Sequence, residues 1–162
     1  MDEEIELKIV EQFPELCKKY RGDSMETCFH WGFECQNGWA DLIQETFESL
    51  NNLRLESGKD FWVEQIKQRY GRLIIHLDGE DKEDINEAID KAYQIVSEVS
   101  KKSELISELS GKPGKLRIFK SWLITLTDEE YEAYIQNDKK DLLDSEKTLK
   151  NAREQTELVE SI

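Results

Sequence analysis

Apolar residues recur at intervals of three and four in three parts of the chain, a spacing typical of amphipathic α-helices. The first part is residues 3–19, where Pro14 predicts a break or kink near Phe13. The second runs from about Trp39 to Leu53. The third covers residues 82–109, where charged residues alternate with apolar ones. These spacings predict three helices that each bury one face.

Shorter apolar segments lie between and after these helices. Residues 61–70 predict a short helix that is ended by Gly71, and the β-branched run at 72–77 predicts a strand. Two further strands are expected at residues 116–119 and 122–126. We expect the three strands to form a small sheet, with the last two joined as a hairpin.

The end of the chain is predicted to be helical. Thr127 precedes three acidic residues and is a typical N-cap, because the helix dipole favours acids in the first turn. Residues 128–162 then predict one or two helices with few apolar positions. The predicted fold class is α+β: a mostly helical single domain over residues 1–130, followed by an acidic helical tail over residues 131–162.

The charge is strongly acidic and unevenly distributed. The 162 residues include 36 Asp and Glu against 22 Lys and Arg, a formal net charge of −14. Residues 1–60 carry 14 acids and 6 bases, residues 127–162 carry 11 and 5, and residues 61–126 carry 11 of each. A net negative charge repels phosphate, so we predict no direct binding of nucleic acid.

Cysteine usage and hydropathy indicate the compartment. The chain has three cysteines, an odd number, and an acidic N-terminus without the apolar segment of a signal peptide. No apolar run approaches the ~20 residues that a transmembrane helix needs. The sequence therefore predicts an intracellular, cytoplasmic protein that does not bind membranes.

One segment has the spacing of a zinc knuckle without its ligands. From Ser107 to Gly114 the chain follows a Cys-x-x-Cys-Gly-x-Pro-Gly pattern, with Ser107 and Ser110 at the thiolate positions. Thr127 and Glu130 occupy the positions of the second ligand pair. Hydroxyls do not deprotonate near pH 7, so residues 107–130 form a degenerate knuckle, and we predict no metal and no cofactor.

Three cysteines and two histidines are the remaining candidates for chemistry. Cys28, His30 and Cys35 are close in sequence, and Cys17 and His76 could join them in a metal site. Their spacing fits no standard zinc motif, which favours core packing. A nucleophile pair of Cys28 or Cys35 with His30 or His76 is the alternative. No local motif supports it, so we predict no catalytic residue and no enzyme.

Three blocks, in this order, resemble a family of small uncharacterised proteins found in bacterial and phage genomes. The family pattern has a Gly-Phe-Glu-Cys-Gly-x-Gly-Trp block, then a Val-Lys-x-Lys-Phe-Gly-Gly-Leu-Arg-Phe block. A Cys-x-x-Cys-Gly-x-Pro-Gly knuckle, closed by Gly-Trp and Thr-x-Cys, follows. The matching segments here are Trp31 to Ile43, Val63 to Leu73, Ser107 to Gly114, and Ser121 to Thr127.

The departures from this pattern limit what the resemblance implies. Gln36 replaces a turn glycine, Arg72 replaces the second glycine of the middle block, and every knuckle thiol is lost. The resemblance therefore implies a bacterial or phage origin and a related fold, but neither zinc nor an activity. As a hypothesis, packing of apolar side chains replaces the metal, and the residues that would supply it are Leu109, Leu116, Ile118, Phe119 and Trp122.

Two sets of residues are candidates for binding a partner. Trp31, Phe33 and Trp39 surround the Asn37-Gly38 turn signal, where positive φ angles are common. They form either an aromatic anchor for the following helix or a partner-binding patch. The second set is acidic and could imitate the phosphates of DNA: Asp128, Glu129, Glu132, Asp138, Asp141, Asp144 and Glu146. Interleaved lysines at 139, 140 and 147 favour an ordinary solvated surface instead.

A small basic cluster lies on the degenerate knuckle: Lys112, Lys115, Arg117 and Lys120. It is interpreted as a solvated turn, as a site for nucleic acid or an acidic partner, or as a partner for the acidic tail. Taken together, the sequence predicts a non-enzymatic interaction protein that binds a protein partner. The alternative is an acidic DNA mimic that binds a basic partner and inhibits a nucleic-acid enzyme, such as a host defence nuclease.

Overall fold

Helices and strands of the computed structural model, which describes residues 1–79 and 87–141, form an α+β fold and confirm the predicted class. The helices are α1 (Glu3–Gln12), α2 (Ala40–Ser57), α3 (Glu87–Ser103) and α4, which includes residues 128–141. The strands are β1 (Phe33–Glu34), β2 (Phe61–Arg69), β3 (Arg72–Gly79), β4 (Lys115–Phe119) and β5 (Trp122–Leu126). The chain divides into two compact units, Met1–Thr127 and Asp128–Ile162.

The predicted helices are found at the expected positions, but the third one is shorter than predicted. Helix α1 ends at Gln12, so the predicted break near Phe13 is confirmed. Helix α2 is confirmed and ends at Gly58, whose φ of 66° is left-handed. The third helix was predicted to continue to residue 109 but ends at Ser103. Its predicted start at residues 82–86, like the tail from 142 onward, lies outside the described residues.

The predicted helix over residues 61–70 is wrong, because this segment is strand β2. A β-bulge between Val63 and Gln65 adds one residue to the strand, so Val63 and Ile66 both face the core although they are three apart. That spacing of three resembles a helix in the sequence. Gly71 does not end a helix, since Tyr70 and Gly71 have φ angles of 55° and 76° and form a tight hairpin turn.

The strands form two sheets rather than the single sheet that we predicted. Strands β1, β2 and β3 make one sheet, with β1 parallel and β3 antiparallel to β2. Strands β4 and β5 pair only with each other, as the predicted hairpin. The two hairpins meet, because Thr125 Oγ1 donates to the Gly71 carbonyl at 2.7 Å and Gln68 Nε2 donates to the Leu123 carbonyl at 2.6 Å.

One apolar core holds the first unit together. Helices α1, α2 and α3 and the three-stranded sheet all contribute side chains to it. The largest side chains that are fully buried are Trp39, Phe29, Phe33, Phe47 and Phe61. In the second unit, α4 begins at Asp128, directly after Thr127, as the N-cap signature predicts.

Candidate functional site

The degenerate knuckle is a tight loop that its own polar groups close. The Ser107 side chain accepts hydrogen bonds from the backbone N–H groups of Leu109 and Ser110, at 3.2 and 3.4 Å. The Ser107 carbonyl accepts from Gly111, and the Ser107 N–H donates to the Lys112 carbonyl at 2.8 Å. The Ser107 hydroxyl therefore organises this turn.

This loop is docked on the first sequence block. The Gly38 N–H donates to the Glu108 carbonyl at 2.8 Å, and Trp39 Nε1 donates to the Ile106 carbonyl at 2.9 Å. A Cβ atom on Gly38 would clash with the Ser107 carbonyl oxygen and lie 2.5 Å from the Gly111 nitrogen. The predicted positive φ at Asn37-Gly38 is wrong: the pair begins a short 3-10 turn, and the glycine allows close approach.

The hypothesis that apolar packing replaced the metal is largely wrong. Ile118 and Trp122 are 68% and 73% exposed, and Leu116 is 44% exposed. Leu109 and Phe119 are only partly buried. Backbone hydrogen bonds and glycine contacts hold the loop instead, and Leu116, Ile118 and Trp122 of the β4–β5 hairpin are left at the surface.

The three cysteines and two histidines differ in burial and in their surroundings. Within residues 1–79 and 87–141, no three His, Cys, Asp or Glu side chains are grouped as ligands of one ion. Burial raises the pKa of both Cys17 and Cys35 to about 12, so both remain thiols at neutral pH. Cys28 is exposed, and His30 Nδ1 lies 2.5 Å from the Gly22 carbonyl oxygen.

His76, the second candidate base, is placed by its strand. It lies opposite Gln65 in the β2–β3 pair. Partial burial, together with the nearby charges of Lys67 and Arg69, lowers the pKa of His76. A neutral imidazole could accept a proton from a nucleophile. The neighbours that lower the pKa of His76, however, are the cations Lys67 and Arg69, and not a cysteine thiol.

The aromatic candidates separate into core and surface residues. Phe33 is 1% exposed and Trp39 is 0% exposed, so both belong to the core. Phe33 stacks on Phe29 with ring centroids 5.6 Å apart. Trp31 is 65% exposed and makes an edge contact with the His30 ring. Burial removes Phe33 and Trp39 from the predicted partner patch and leaves Trp31 as its one accessible ring.

The acidic candidates lie on α4, mostly exposed, but not on one side of it. Asp128, Glu129, Glu132 and Asp141 are exposed and Asp138 is half-buried. At about 100° per residue, the first three fall within one arc of the helix, whereas Asp138 and Asp141 fall on roughly the opposite side. Residues 144 and 146 lie outside the described part. The described acids therefore form two groups rather than the single ridge that a DNA mimic needs.

The structure places a second basic segment beside the basic cluster at residues 112–120, and the sequence did not predict that second segment. Residues 65–77 contain three bases and residues 109–127 contain four, and neither segment contains an Asp or Glu. The contacts between the β2–β3 turn and the β4–β5 hairpin make these segments neighbours. We call the exposed residues of segments 67–72 and 112–122 the hairpin surface. The predicted helix over residues 61–70 did not indicate this surface. The β2–β3 turn, which that prediction lacks, brings residues 67–72 next to the β4–β5 hairpin.

Exposed aromatic rings accompany these cations. Tyr70 is 65% exposed, and the Arg69 guanidinium lies 5.1 Å from the centre of its ring. Gly71 lies against the Leu116 side chain and against the backbone of Leu123 and Ile124. Trp122 directly precedes Leu123 in the sequence. Of these cations, Arg72 pairs with Glu104 at 2.5 Å. The two segments of the hairpin surface thus carry large exposed apolar side chains, and they contain Lys and Arg but no Asp or Glu.

Comparisons with known proteins add no relative to this description. No family model, curated protein or solved structure matches the chain. Among residues 1–79 and 87–141, no helix combines the length and the apolar character that crossing a membrane requires. The resemblance of the three blocks therefore rests on the sequence alone.

Proposed function

We propose that this protein is a non-enzymatic interaction protein of bacterial or phage origin that binds a protein partner in the cytoplasm. The observation that supports the proposal is the exposure of Trp122, at the end of the β4–β5 hairpin, and of Tyr70, in the β2–β3 turn. Tryptophan and tyrosine are enriched among the residues that dominate the free energy of protein–protein binding. Large exposed apolar groups that are rimmed by polar residues are typical of interaction sites.

Two features of the candidate chemistry support a role without catalysis. Cys17 and Cys35 are buried thiols with raised pKa values, which is the opposite of the low pKa that an enzymatic cysteine needs. The Ser107 hydroxyl accepts two backbone N–H groups of its own turn and so closes the loop. Each group is used for packing or for folding.

The test is affinity capture from the source cell with matched surface variants. Trp122→Ala and Tyr70→Ala remove exposed rings, so the free energy of unfolding should change by only about 0.5 kcal/mol. We expect the captured partner to be lost at least in part with either variant and retained with Trp31→Ala, an equally exposed ring elsewhere. Loss with Trp31→Ala alone would place the binding surface on the first block and overturn the assignment.

The acidic DNA-mimic function is the second candidate, because Asp128, Glu129 and Glu132 are exposed within one arc of α4. The same capture experiment separates the two functions. A DNA mimic binds a basic nucleic-acid enzyme, and replacing these three acids by their amides should release it. Its binding should also weaken steeply between about 50 and 200 mM salt, because surface charge interactions are screened. If the partner binds these amide variants as tightly as it binds the wild-type protein, the DNA-mimic function is excluded.

A further inference from the structure

We propose that Asn37 is a site of spontaneous deamidation, that docking of the loop from Ser107 to Gly114 suppresses the reaction, and that the product weakens the contact between the first sequence block and the start of α1. The chain contains six asparagines, and Asn37 is the only one that a glycine follows. A following glycine favours deamidation, because the absence of a Cβ lets its backbone nitrogen approach the asparagine side chain.

The reaction needs only water and the two neighbouring residues. The Gly38 nitrogen attacks the carbonyl carbon of the Asn37 side chain, and its proton leaves with the side-chain nitrogen as ammonia. Water then opens the cyclic imide at either of its carbonyl carbons and gives an aspartate or an isoaspartate. Position 37 thereby exchanges a neutral amide for a carboxylate that is ionised at neutral pH.

In the folded protein both reacting groups are engaged. The Gly38 N–H donates to the Glu108 carbonyl at 2.8 Å, and Asn37–Trp39 form a 3-10 turn. The Asn37 side chain accepts from the Asp2 N–H through Oδ1 at 2.8 Å and donates through Nδ2 to Asp2 Oδ2 at 2.7 Å. Closing the imide ring turns the peptide between residues 37 and 38 out of this arrangement, so the contacts must break first. We therefore expect deamidation to proceed through a locally opened state in which the loop has left Gly38.

The product cannot restore the contact with Asp2. A carboxylate oxygen would stand where Asn37 Nδ2 now donates to Asp2 Oδ2, so two acceptors of like charge would meet at hydrogen-bonding distance. Asp2 is the residue that directly precedes α1, which begins at Glu3. Repulsion at this position should loosen the start of α1 against the first sequence block.

The experiment follows deamidation of the full-length protein in mildly alkaline buffer by peptide mass spectrometry. The native protein is compared with the same protein unfolded in guanidinium chloride. We expect Asn37 to react at least about ten-fold more slowly in the native protein, because only its opened fraction reacts.

A matched pair of variants tests the role of the loop. Ser107→Ala removes the acceptor of two N–H groups within the loop and should raise the native rate of deamidation about five-fold or more. Ser49→Ala removes an exposed hydroxyl that donates to a carbonyl of α2 and should leave the rate unchanged.

The consequence is tested with Asn37→Asp, which has the side chain of the aspartate product. In chemical denaturation, the ratio of folded to unfolded protein should fall about five-fold, because a hydrogen bond is replaced by a like-charge contact. In the Asp2→Asn background the same substitution should cost much less, since an amide at position 2 can donate to a carboxylate at position 37. This rescue separates repulsion from a general intolerance of change at position 37.

Each part of the proposal has a result that would overturn it. Equal rates in the native and the unfolded protein would reject suppression by the fold, and no reaction in either would reject the site. Equal native rates for the wild-type protein and Ser107→Ala would show that the loop does not control the reaction. An Asn37→Asp variant as stable as the wild-type protein, or no rescue by Asp2→Asn, would reject the weakened contact.

Discussion

At the scale of single residues, Gly38 connects the first sequence block to the degenerate knuckle. A side chain at this position would clash with the Ser107 carbonyl oxygen and the Gly111 nitrogen. These are backbone atoms, which cannot rotate away as the end of a flexible side chain can. The glycine is therefore required by the close approach of two segments rather than by its backbone angles.

We expect Gly38→Ala to lower the free energy of unfolding by about 3 kcal/mol, the upper end of the 1–3 kcal/mol that overpacking commonly costs, because the added methyl group meets backbone atoms. The control is Gly58→Ala. Gly58 has a φ of 66° but nothing within 4 Å of the position of a Cβ, so its substitution should cost only about 1 kcal/mol. Urea denaturation of both variants makes the comparison, and equal destabilisation would contradict the close approach.

Glu108 is a second residue whose environment gives a measurable consequence. It is 5% exposed, and its Oε2 atom has no hydrogen-bond partner among the described residues. Burial raises the pKa of Glu108 from 4.5 to about 7. The folded protein therefore binds this proton more tightly than the unfolded chain does. The contribution of the proton to stability is complete below about pH 4.5 and is lost as the pH rises through 7.

Glu108→Gln removes this titration. We expect the free energy of unfolding of the wild-type protein, relative to the variant, to fall by up to roughly 3 kcal/mol between pH 4.5 and pH 8. The difference between the two proteins isolates Glu108 from His76, whose lowered pKa acts in the opposite direction. Glu11→Gln, at an exposed position, is the control. Parallel curves for the wild-type protein and Glu108→Gln would contradict the raised pKa.

Residue burial could be predicted from the sequence only in part. Trp31, Phe33 and Trp39 lie within nine residues of each other and have the same aromatic character. Their exposed fractions nevertheless differ, at 65%, 1% and 0%. Phe33 lies in β1, which pairs with β2, and Trp39 contacts the Ile106 carbonyl 67 residues away. Partners this distant in sequence decide the burial, and a local pattern does not contain them.

At the scale of elements, hydrogen bonds of the Ser107 side chain and of the backbone close the loop from Ser107 to Gly114. We expect Ser107→Ala to lower the free energy of unfolding by roughly 1–3 kcal/mol, because the partly buried turn loses the acceptor of two N–H groups. Ser49→Ala is the control, since Ser49 is exposed on α2 and its hydroxyl donates only to the Glu45 carbonyl. Thermal unfolding measures both variants.

The same measurement in the presence of a chelator tests the metal-free loop. A midpoint of unfolding that is unchanged by EDTA is the expected result, since serine hydroxyls hold the loop where zinc proteins use thiolates. A midpoint that EDTA lowers, and that added Zn²⁺ restores, would contradict this account of the loop.

Among the elements, the helices were predictable because their apolar faces repeat locally. The start of α2 and the end of α1 follow from spacing and from Pro14. Strand β2 was not predictable, since its bulge converts an alternating pattern into a spacing of three. The same error concealed the hairpin surface, whose cations come from both hairpins. The β4–β5 hairpin itself was predictable, but the exposure of Leu116, Ile118 and Trp122 in it was not.

At the scale of the whole molecule, charge and exposed apolar side chains are unevenly distributed along the chain. The acids dominate the total charge, while the two hairpin segments contain none. The large exposed rings of Tyr70 and Trp122 lie in those same segments. Under the proposed function, such a surface would discriminate between partners by charge and by apolar fit.

Hydrogen exchange of the protein, alone and bound to its captured partner, is the measurement that tests the hairpin surface most directly. We predict that binding slows amide exchange in residues 69–72 and 115–123 and leaves residues 25–31, around the exposed Trp31, unchanged. Protection confined to residues 25–31 or to 128–141, with no change in the two hairpins, would contradict the account.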